Sequence, residues 1–403
     1  MRFVYRLLIG LAMVGVIYYG YKVMTRRKLT NAKTVTAFDV QNNAPSSATG
    51  ATPNTITTVT GGTHTTLVTT PGSTTPARKL QPTNVPIYVC GNSTDYIDMK
   101  AITPEGRPKV DIFINIPVAG TWTIRRNIIR NGWLSTVKNY SVAYRFFTDG
   151  IGVDPKVLEA LKKEQEEFKD LVLLPTKNGY WLTHRYLHAM FWGYKHYDFK
   201  YYLKADDDYF ICLNNLMNDL QYRHKEKLLY WGHFGCERKM IAMDEGFVII
   251  SIDLAQEIIK RNNSLCCSPF GGQMIAMWVN LLEHEGYDVT YFPDNSRLMH
   301  YRSSLKKPSN DMCKRLLGIH QSYPKYMKLY WNMTKDSWYS LKKEDFEKVE
   351  RKEYKDYCSL PKGWDWRVLI SFYRKQPKPC WEPGLTWPEL EKIKTIRSRE
   401  NDE

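Results

Sequence analysis

Acidic residues are missing from the first 28 positions, which hold Arg2, Arg6, Lys22, Arg26, Arg27 and Lys28. That segment supplies +6 of the formal net charge of +15 and leaves +9 spread over residues 29–403. No Lys/Arg block follows, so the surplus does not call for a nucleic acid partner and suits any acidic one. Cysteine is sparse: Cys90, Cys212, Cys236, Cys266, Cys267, Cys313, Cys358 and Cys380 include no Cys-x-x-Cys pair, and a structural zinc site has no support. No internal repeat is visible. With 43% hydrophobic and 13% aromatic residues, the composition excludes collagen-like, coiled-coil and wholly disordered chains. What remains is a globular chain of 403 residues, long enough for two or three average domains or one large α/β domain with appendages.

Only one long hydrophobic run is present. Leu7 to Tyr21 (LLIGLAMVGVIYYGY) carries no charge, and Phe3, Val4, Val23 and Met24 extend it to a marginal spanning length. A cleaved signal peptide would need a small-x-small site, and an interfacial helix would need a polar face; the run has neither. The reading is a cytosolic tail over 1–6 and a signal-anchor over 7–24. The flanking charges disagree: two Lys/Arg precede the run and four follow it, which by the positive-inside rule leaves the bulk in the cytosol. Three features favour the lumen. Residues 46–76 hold 16 Ser and Thr among 31 positions with Pro53, Pro71 and Pro76, a mucin-like stem within 25–85. N-x-Ser/Thr sequons stand at Asn92, Asn139, Asn262 and Asn332. All eight cysteines lie beyond the anchor, an even number compatible with disulfides.

From residue 86 to 385 the composition is globular, and a charged tail follows over 386–403. Asp111 to Ile116 predicts a strand ended by Pro117, and a helix-like stretch follows around Arg125 to Leu134. Ser141 to Thr148 predicts a second strand, with a turn signal at Asp149-Gly150. Asp154-Pro155 opens a charged helix through Phe168. Leu171 to Leu174 reads as a short buried strand, Leu182 to Tyr194 as a helix, and Phe199 to Leu203 as a further strand. Strands alternating with helices imply an α/β fold with a mostly parallel sheet covered on both faces, where ligands bind at the carboxyl ends of the strands. Trp181, Trp192 and Trp231 read as core residues rather than sugar-stacking platforms.

Chemistry concentrates where that last strand ends, at Lys204-Ala205-Asp206-Asp207-Asp208. Three adjacent carboxylates are costly unless a cation sits among them. Two of them at i, i+2 point to one side and chelate a divalent ion, which would bridge a diphosphate. The bland alternative is a solvated acidic turn.

These residues are part of a wider pattern. Arg125-Arg126-Asn127-Ile128-Ile129-Arg130-Asn131-Gly132-Trp133 is similar to RRxAIRxTW of the beta-1,3-galactosyltransferases, glycosyltransferase family 31. Leu182-Thr183, Trp192 and Lys204 to Asp208 keep the ungapped spacing of that family's NLT…W…KxDDD segment. Gly246 to Asp253 resembles its GYVLSxD block, and Ile319-His320-Gln321 its late THxx segment. Tyr230 to Gly235, Ile319 to Ser322 and the tail Trp364 to Cys380 look most like the galactosyltransferase II branch of the glycosaminoglycan linker region. The resemblance implies a GT-A fold with a Rossmann-like sheet. It also implies a UDP-sugar donor, Mn²⁺, and inverting transfer of galactose or another hexose to a glycan hydroxyl on a glycoprotein or proteoglycan in the Golgi. It makes His320 a further metal ligand beside Asp206 and Asp208, and a nitrogen ligand favours Mn²⁺ over Mg²⁺. Arg125, Arg126, Arg130, Lys204, Asp206 and Asp207 become candidates for donor binding, because guanidinium groups grip phosphate bidentately.

The departures bear on catalysis. A family nucleotide-binding Asp falls at Lys177-Asn178, and the glycine-rich loop before the GYVLS block is Asp244-Glu245-Gly246. The EDVxxG signature, source of the family's presumed base, aligns with Gly271-Gly272-Gln273-Met274-Ile275-Ala276, where no carboxylate remains. Asp244 or Glu245 is the expected replacement, with Glu283 and Glu285 further along a predicted helix. Competing readings are a catalytically silent sugar-nucleotide or glycan-binding module and a membrane-anchored adhesion protein.

Overall fold

The computed structural model describes residues 106–178, 182–221, 226–237, 240–268, 271–305, 307–337 and 378–380. The expected anchor and stem, Cys90, Asn92, Trp181, Cys358 and the 386–403 tail lie outside the described residues. Among the described residues no helix is long and apolar enough to cross a membrane.

A seven-stranded sheet runs in the order β3-β2-β1-β4-β7-β6-β9. Its strands are β1 (Lys109–Pro117), β2 (Val142–Ile151), β3 (Leu171–Lys177), β4 (Asp198–Ala205), β6 (Leu229–Glu237), β7 (Met240–Ser251) and β9 (Thr290–Pro293); β5 (Phe210–Ile211) belongs to a smaller sheet. β1, β2, β3 and β4 are mutually parallel, β7 runs antiparallel to both β4 and β6, and β9 is parallel to β6. The helices are α1 (Thr123–Asn131), α2 (Pro155–Phe168), α3 (Leu182–His196), α4 (Leu213–Leu220), α5 (Ile252–Lys260), α6 (Gly271–His284), α7 (Met312–Arg315) and α8 (Pro324–Thr334). The expected α/β fold with a mostly parallel sheet is therefore present.

Alternation in β1 shows why both faces are covered. Ile112, Ile114 and Ile116 join one core with Leu203, Trp231 and Ile249, while Phe113 joins the other with Tyr202, Tyr230 and Ile250. α3 comes close enough to β1 for a Cβ at Gly193 to lie 2.6 Å from the Phe113 ring, so only glycine fits there. Trp231 is fully buried as expected; Trp192 is partly buried and stacks on His196, with ring centroids 3.9 Å apart.

Two boundaries differ from the sequence reading. The helix expected over 125–134 ends at Asn131 and continues as a 3-10 turn, Trp133–Asn139. The turn expected at Asp149-Gly150 lies inside β2, because the buried Asp149 accepts hydrogen bonds from Thr176 Oγ1 (2.7 Å) and Arg185 (2.6 Å), and a bulge between Asp149 and Ile151 absorbs the irregularity. By contrast, Asp154 caps α2 as its Asp-Pro pair predicts, accepting from the Lys156 and Val157 amides with Pro155 in the first turn. Disulfides join Cys212 to Cys313 and Cys267 to Cys380, the latter beside the pairing of β8 (Cys266–Cys267) with β12 (Lys378–Pro379).

Glu283 and Glu285 serve the fold. Glu285 pairs with Arg261 at the surface. Burial pushes the Glu283 carboxyl up to about 7, against the hydrogen bonds it makes with Tyr291 and Asn280. A carboxyl raised on folding contributes stability that is present below its unfolded value near 4.5 and lost as pH rises through 7. Glu283→Gln should therefore stabilise the protein at pH 8 by roughly 1 to 3 kcal/mol and leave it unchanged at pH 4. Thermal melts at both values check this, and equal shifts at the two would refute it.

Candidate functional site

Three short strands converge beside the end of β4. β11 (Gly318–Ile319) lies between β10 (Leu298–Met299), its parallel neighbour, and β5, its antiparallel one. Met299 pairs with Ile319, so the residues that follow, His300 and His320, emerge side by side with ring centroids 5.6 Å apart. Ile319 also pairs with Phe210, which sets His320 against the acid triplet just before β5. The contact is close: a Cβ at Gly318 would lie 2.4 Å from the Tyr209 ring. After His320 the chain turns sharply through Gln321, at φ 57°, and the Ser322 amide donates to the Asp208 carbonyl at 2.7 Å. On the other side the Asp206 amide donates to the Gly246 carbonyl of β7 at 3.0 Å, which brings Asp244 and Glu245 to the same place.

The i, i+2 rule divides the triplet as expected. Asp206 and Asp208 share one side with His320, and each of the three offers a ligand atom within 4.8 Å of the others. Asp207 points elsewhere, to Arg125 at 2.8 Å, and the guanidinium in turn lies over Trp122 at 3.9 Å. Burial raises the carboxyls of Asp206 and Asp207, the latter to about 7, while Lys204 and Arg125 respectively oppose the rise. Burial also disfavours ionised Asp208, yet the hydrogen bond with His320 outweighs it and holds that carboxyl below its ordinary range. His320 responds in kind: burial favours the neutral ring, but Asp208 and Asp244 carry it up to about 9. Lys204, almost fully buried, donates to Asp206 Oδ1 at 2.5 Å and to the Glu245 backbone carbonyl.

Five carboxyl groups, those of Asp206, Asp207, Asp208, Asp244 and Glu245, thus meet two basic side chains besides the histidines, Lys204 and Arg125. His320 Nδ1 and Asp207 Oδ2 are buried without hydrogen bonds. Two carboxylates and one imidazole form a mixed oxygen and nitrogen donor set that fits Mn²⁺.

Arg126 and Arg130 go elsewhere. Arg126, with no exposed surface, forks onto Glu164 at 2.7 and 2.6 Å and donates to the carbonyls of Ala119 and Gly120. Arg130 forks onto Asp170 at 2.8 and 2.7 Å and also reaches Glu164. Burial works against Glu164 ionisation, but the two arginines overcome it and keep the carboxyl lowered. Of the three arginines expected to bind donor, only Arg125 touches the triplet, and it does so through Asp207.

An open cavity of about 330 Å³ adjoins this cluster, lined by His233, Asp244, Glu245, Gly272, Gln273 and His300 among others. His300 Nδ1 and Asp244 Oδ2 are 2.6 Å apart, and Asp244, His300 and His320 form a second grouping with metal-ligand spacing. Nothing in the sequence singled out His233 or His300. Only the β10–β11 register shows that a histidine following Met299 belongs beside His320.

Residues 124–246 match the family model described as galactosyltransferase. That segment is galactosyltransferase-like. The galactosyltransferase match contains Arg125 to Arg130, the acid triplet, Asp244 and Glu245, and stops before Gly271 and His320. Similar proteins include beta-1,3-galactosyltransferase 6 of Mus musculus, 33% identical over 32% of this chain and 42% of that one. Hydroxyproline O-galactosyltransferase GALT5 of Arabidopsis thaliana is 27% identical over 57% of this chain and 36% of its own. The chain thus spans less than half the length of these curated relatives. Among solved structures, the galactosyltransferase LgtC with donor and acceptor sugar analogs is 9% identical with a TM-score of 0.33, over 58% of this chain and 98% of that one.

The arginines of this galactosyltransferase segment separate by experiment. Removing one partner of a buried ion pair strands the other, so Arg126→Ala should lower unfolding stability by about 3 to 5 kcal/mol in denaturant titration. A loss below about 1 kcal/mol, the level of a surface pair, would show that the Glu164 contact is not structural.

Proposed function

We propose that this chain is a metal-dependent hexosyltransferase that moves galactose or another hexose from a UDP-sugar to a glycan hydroxyl on a glycoprotein or proteoglycan, with inversion and a beta-1,3 linkage. The observation that carries the reading is the meeting of Asp206, Asp208 and His320 at the carboxyl end of β4, where open α/β sheets bind ligands. Those three residues would hold Mn²⁺, whose charge, when bound, offsets the negative charge of a diphosphate leaving group. Lys204 keeps Asp206 in place from beneath, and Arg125 fixes Asp207 so that its neighbours on either side face the ligand. The adjoining cavity gives an acceptor sugar access, with Asp244 and Glu245 in its wall.

Calorimetric titration of UDP with and without Mn²⁺ tests the donor site. Asp208→Asn should weaken the metal-dependent affinity by at least about tenfold, or 1.4 kcal/mol. Binding that EDTA does not affect, or that the variant retains, contradicts the reading. UDP release from a panel of UDP-sugars, with xyloside, galactoside and N-acetylhexosamine acceptors, distinguishes transfer from silent binding.

We place the catalytic domain in the Golgi lumen as a single-pass type II membrane protein, on the strength of the stem, sequons and cysteines. The sequons are not equivalent: Asn139 and Asn332 are exposed, whereas Asn262 is 1% exposed and donates to the Ile259 carbonyl. Endoglycosidase should lower the mass of the expressed protein. Asn139→Gln should reduce that shift and Asn262→Gln should not; a mass unaffected by the enzyme places the domain outside the secretory lumen.

A further inference from the structure

The acid that would take up the acceptor's proton is not fixed by the metal site, and two candidates share the cavity wall. Asp244 is already occupied. Its carboxylate contacts His300 Nδ1 at 2.6 Å, accepts from the Gly246 amide at 3.2 Å and faces His320 Nδ1 at 3.6 Å. A carboxylate engaged by the His300 ring through one oxygen and by a backbone amide through the other orients that ring and has less capacity for a substrate hydroxyl.

Glu245 differs. Among the described residues its carboxylate accepts a hydrogen bond from the Gly272 amide on Oε2 at 3.0 Å, and Lys204 acts on it through space. That amide belongs to the first turn of α6, where backbone N–H groups lack partners within the helix and favour negative charge. The helix start is bare, and it has to be. A Cβ at Gly271 would lie 2.0 Å from the Tyr186 ring and 2.7 Å from Glu245 Oε2. A Cβ at Gly272 would lie 3.0 Å from the Met243 carbonyl and 3.4 Å from the Glu245 Cβ. The space a side chain on this turn would use is filled by the Tyr186 ring, the Met243 carbonyl and Glu245. Through Lys204, which donates to both Asp206 and the Glu245 carbonyl, this acid is tied to the donor site.

We propose that Glu245 is the general base for the acceptor hydroxyl, and that Gly271 and Gly272 are the complementary half of its placement. The inference rests on the transfer reading above and names the residue that carries it out. In the step, an oxygen lone pair of the acceptor forms the new bond to the sugar's anomeric carbon. The hydroxyl proton passes to the Glu245 carboxylate. The bond from that carbon to the β-phosphate oxygen breaks, and its electron pair leaves on UDP. The neutral Glu245 then returns its proton to solvent through the open cavity. Burial and the nearby acids raise this carboxyl, against Lys204 and the Gly272 amide, which strengthens it as a base.

Glutamine keeps the size of Glu245 and its ability to accept from the Gly272 amide, so Glu245→Gln removes proton uptake alone. Expected is a fall in kcat of about 10² to 10⁴, with donor KM and Mn²⁺-dependent UDP affinity within about twofold of wild type. The double variant Glu245→Gly with Gly272→Asp moves the acid onto the helix start and should recover at least about tenfold of the lost kcat. Retention of kcat by Glu245→Gln, or an equal loss of UDP affinity, overturns the base assignment and leaves the transfer reading standing. Absence of recovery in the double variant overturns the complementary role of the glycines. A wild type that binds UDP with Mn²⁺ yet transfers to no acceptor overturns both the base and the transfer reading.

Discussion

Crowding of three consecutive carboxyl groups at the end of β4, Asp207 buried and its two neighbours partly so, is the constraint around which the surroundings are arranged. Each acid taken from water next to another raises the cost of ionising both, by desolvation and by like-charge repulsion. The neighbours offset that cost one acid at a time. Lys204 lies under Asp206, Arg125 takes Asp207, and His320 reaches Asp208. Each partner comes from a different part of the chain: β4 itself, α1, and the turn after β11. The site is therefore a product of the whole sheet and fails as a unit if the sheet does not form.

The arginine-rich start of α1 illustrates how one motif serves two ends. Arg125 faces the triplet, while Arg126 and Arg130 face Glu164 and Asp170. Helical spacing gives the reason, since adjacent residues differ by about 100° around the axis. The buried network with Glu164 fixes α1 against α2, and that rigidity aims Arg125 at Asp207. Electrostatic preorganisation at the site thus depends on ion pairs that never touch a ligand.

β7 and α6 differ from the resembled pattern in where their acids and glycines stand. In the glycosyltransferase family that the chain resembles, the helix carries acids and the segment before the GYVLS block carries glycines; here Asp244 and Glu245 stand within β7 and Gly271 and Gly272 open α6. The two elements pack closely: a Cβ at Gly271 would lie 2.0 Å from the Tyr186 ring and 2.7 Å from Glu245 Oε2, and one at Gly272 would lie 3.0 Å from the Met243 carbonyl.

Local chemistry in the sequence determined the α/β class, the strand that ends at the triplet, the Asp154 cap of α2 and the i, i+2 division of the three acids. Each depends on residues within one or two turns of each other, where backbone geometry alone sets side-chain direction. The fates of Arg126 and Arg130, the seat of Asp149 inside β2 and the burial of Asn262 were decided by partners far away in the chain or by packing, which no local pattern carries. His300 and His320 are neighbours only because β10 and β11 pair in one register, and Glu245 meets Gly272 only because the middle of β7 packs against the start of α6. These two contacts join residues 20 and 27 positions apart, and the physical reason they escape the sequence is that hydrogen-bond register and helix docking are properties of the assembled sheet.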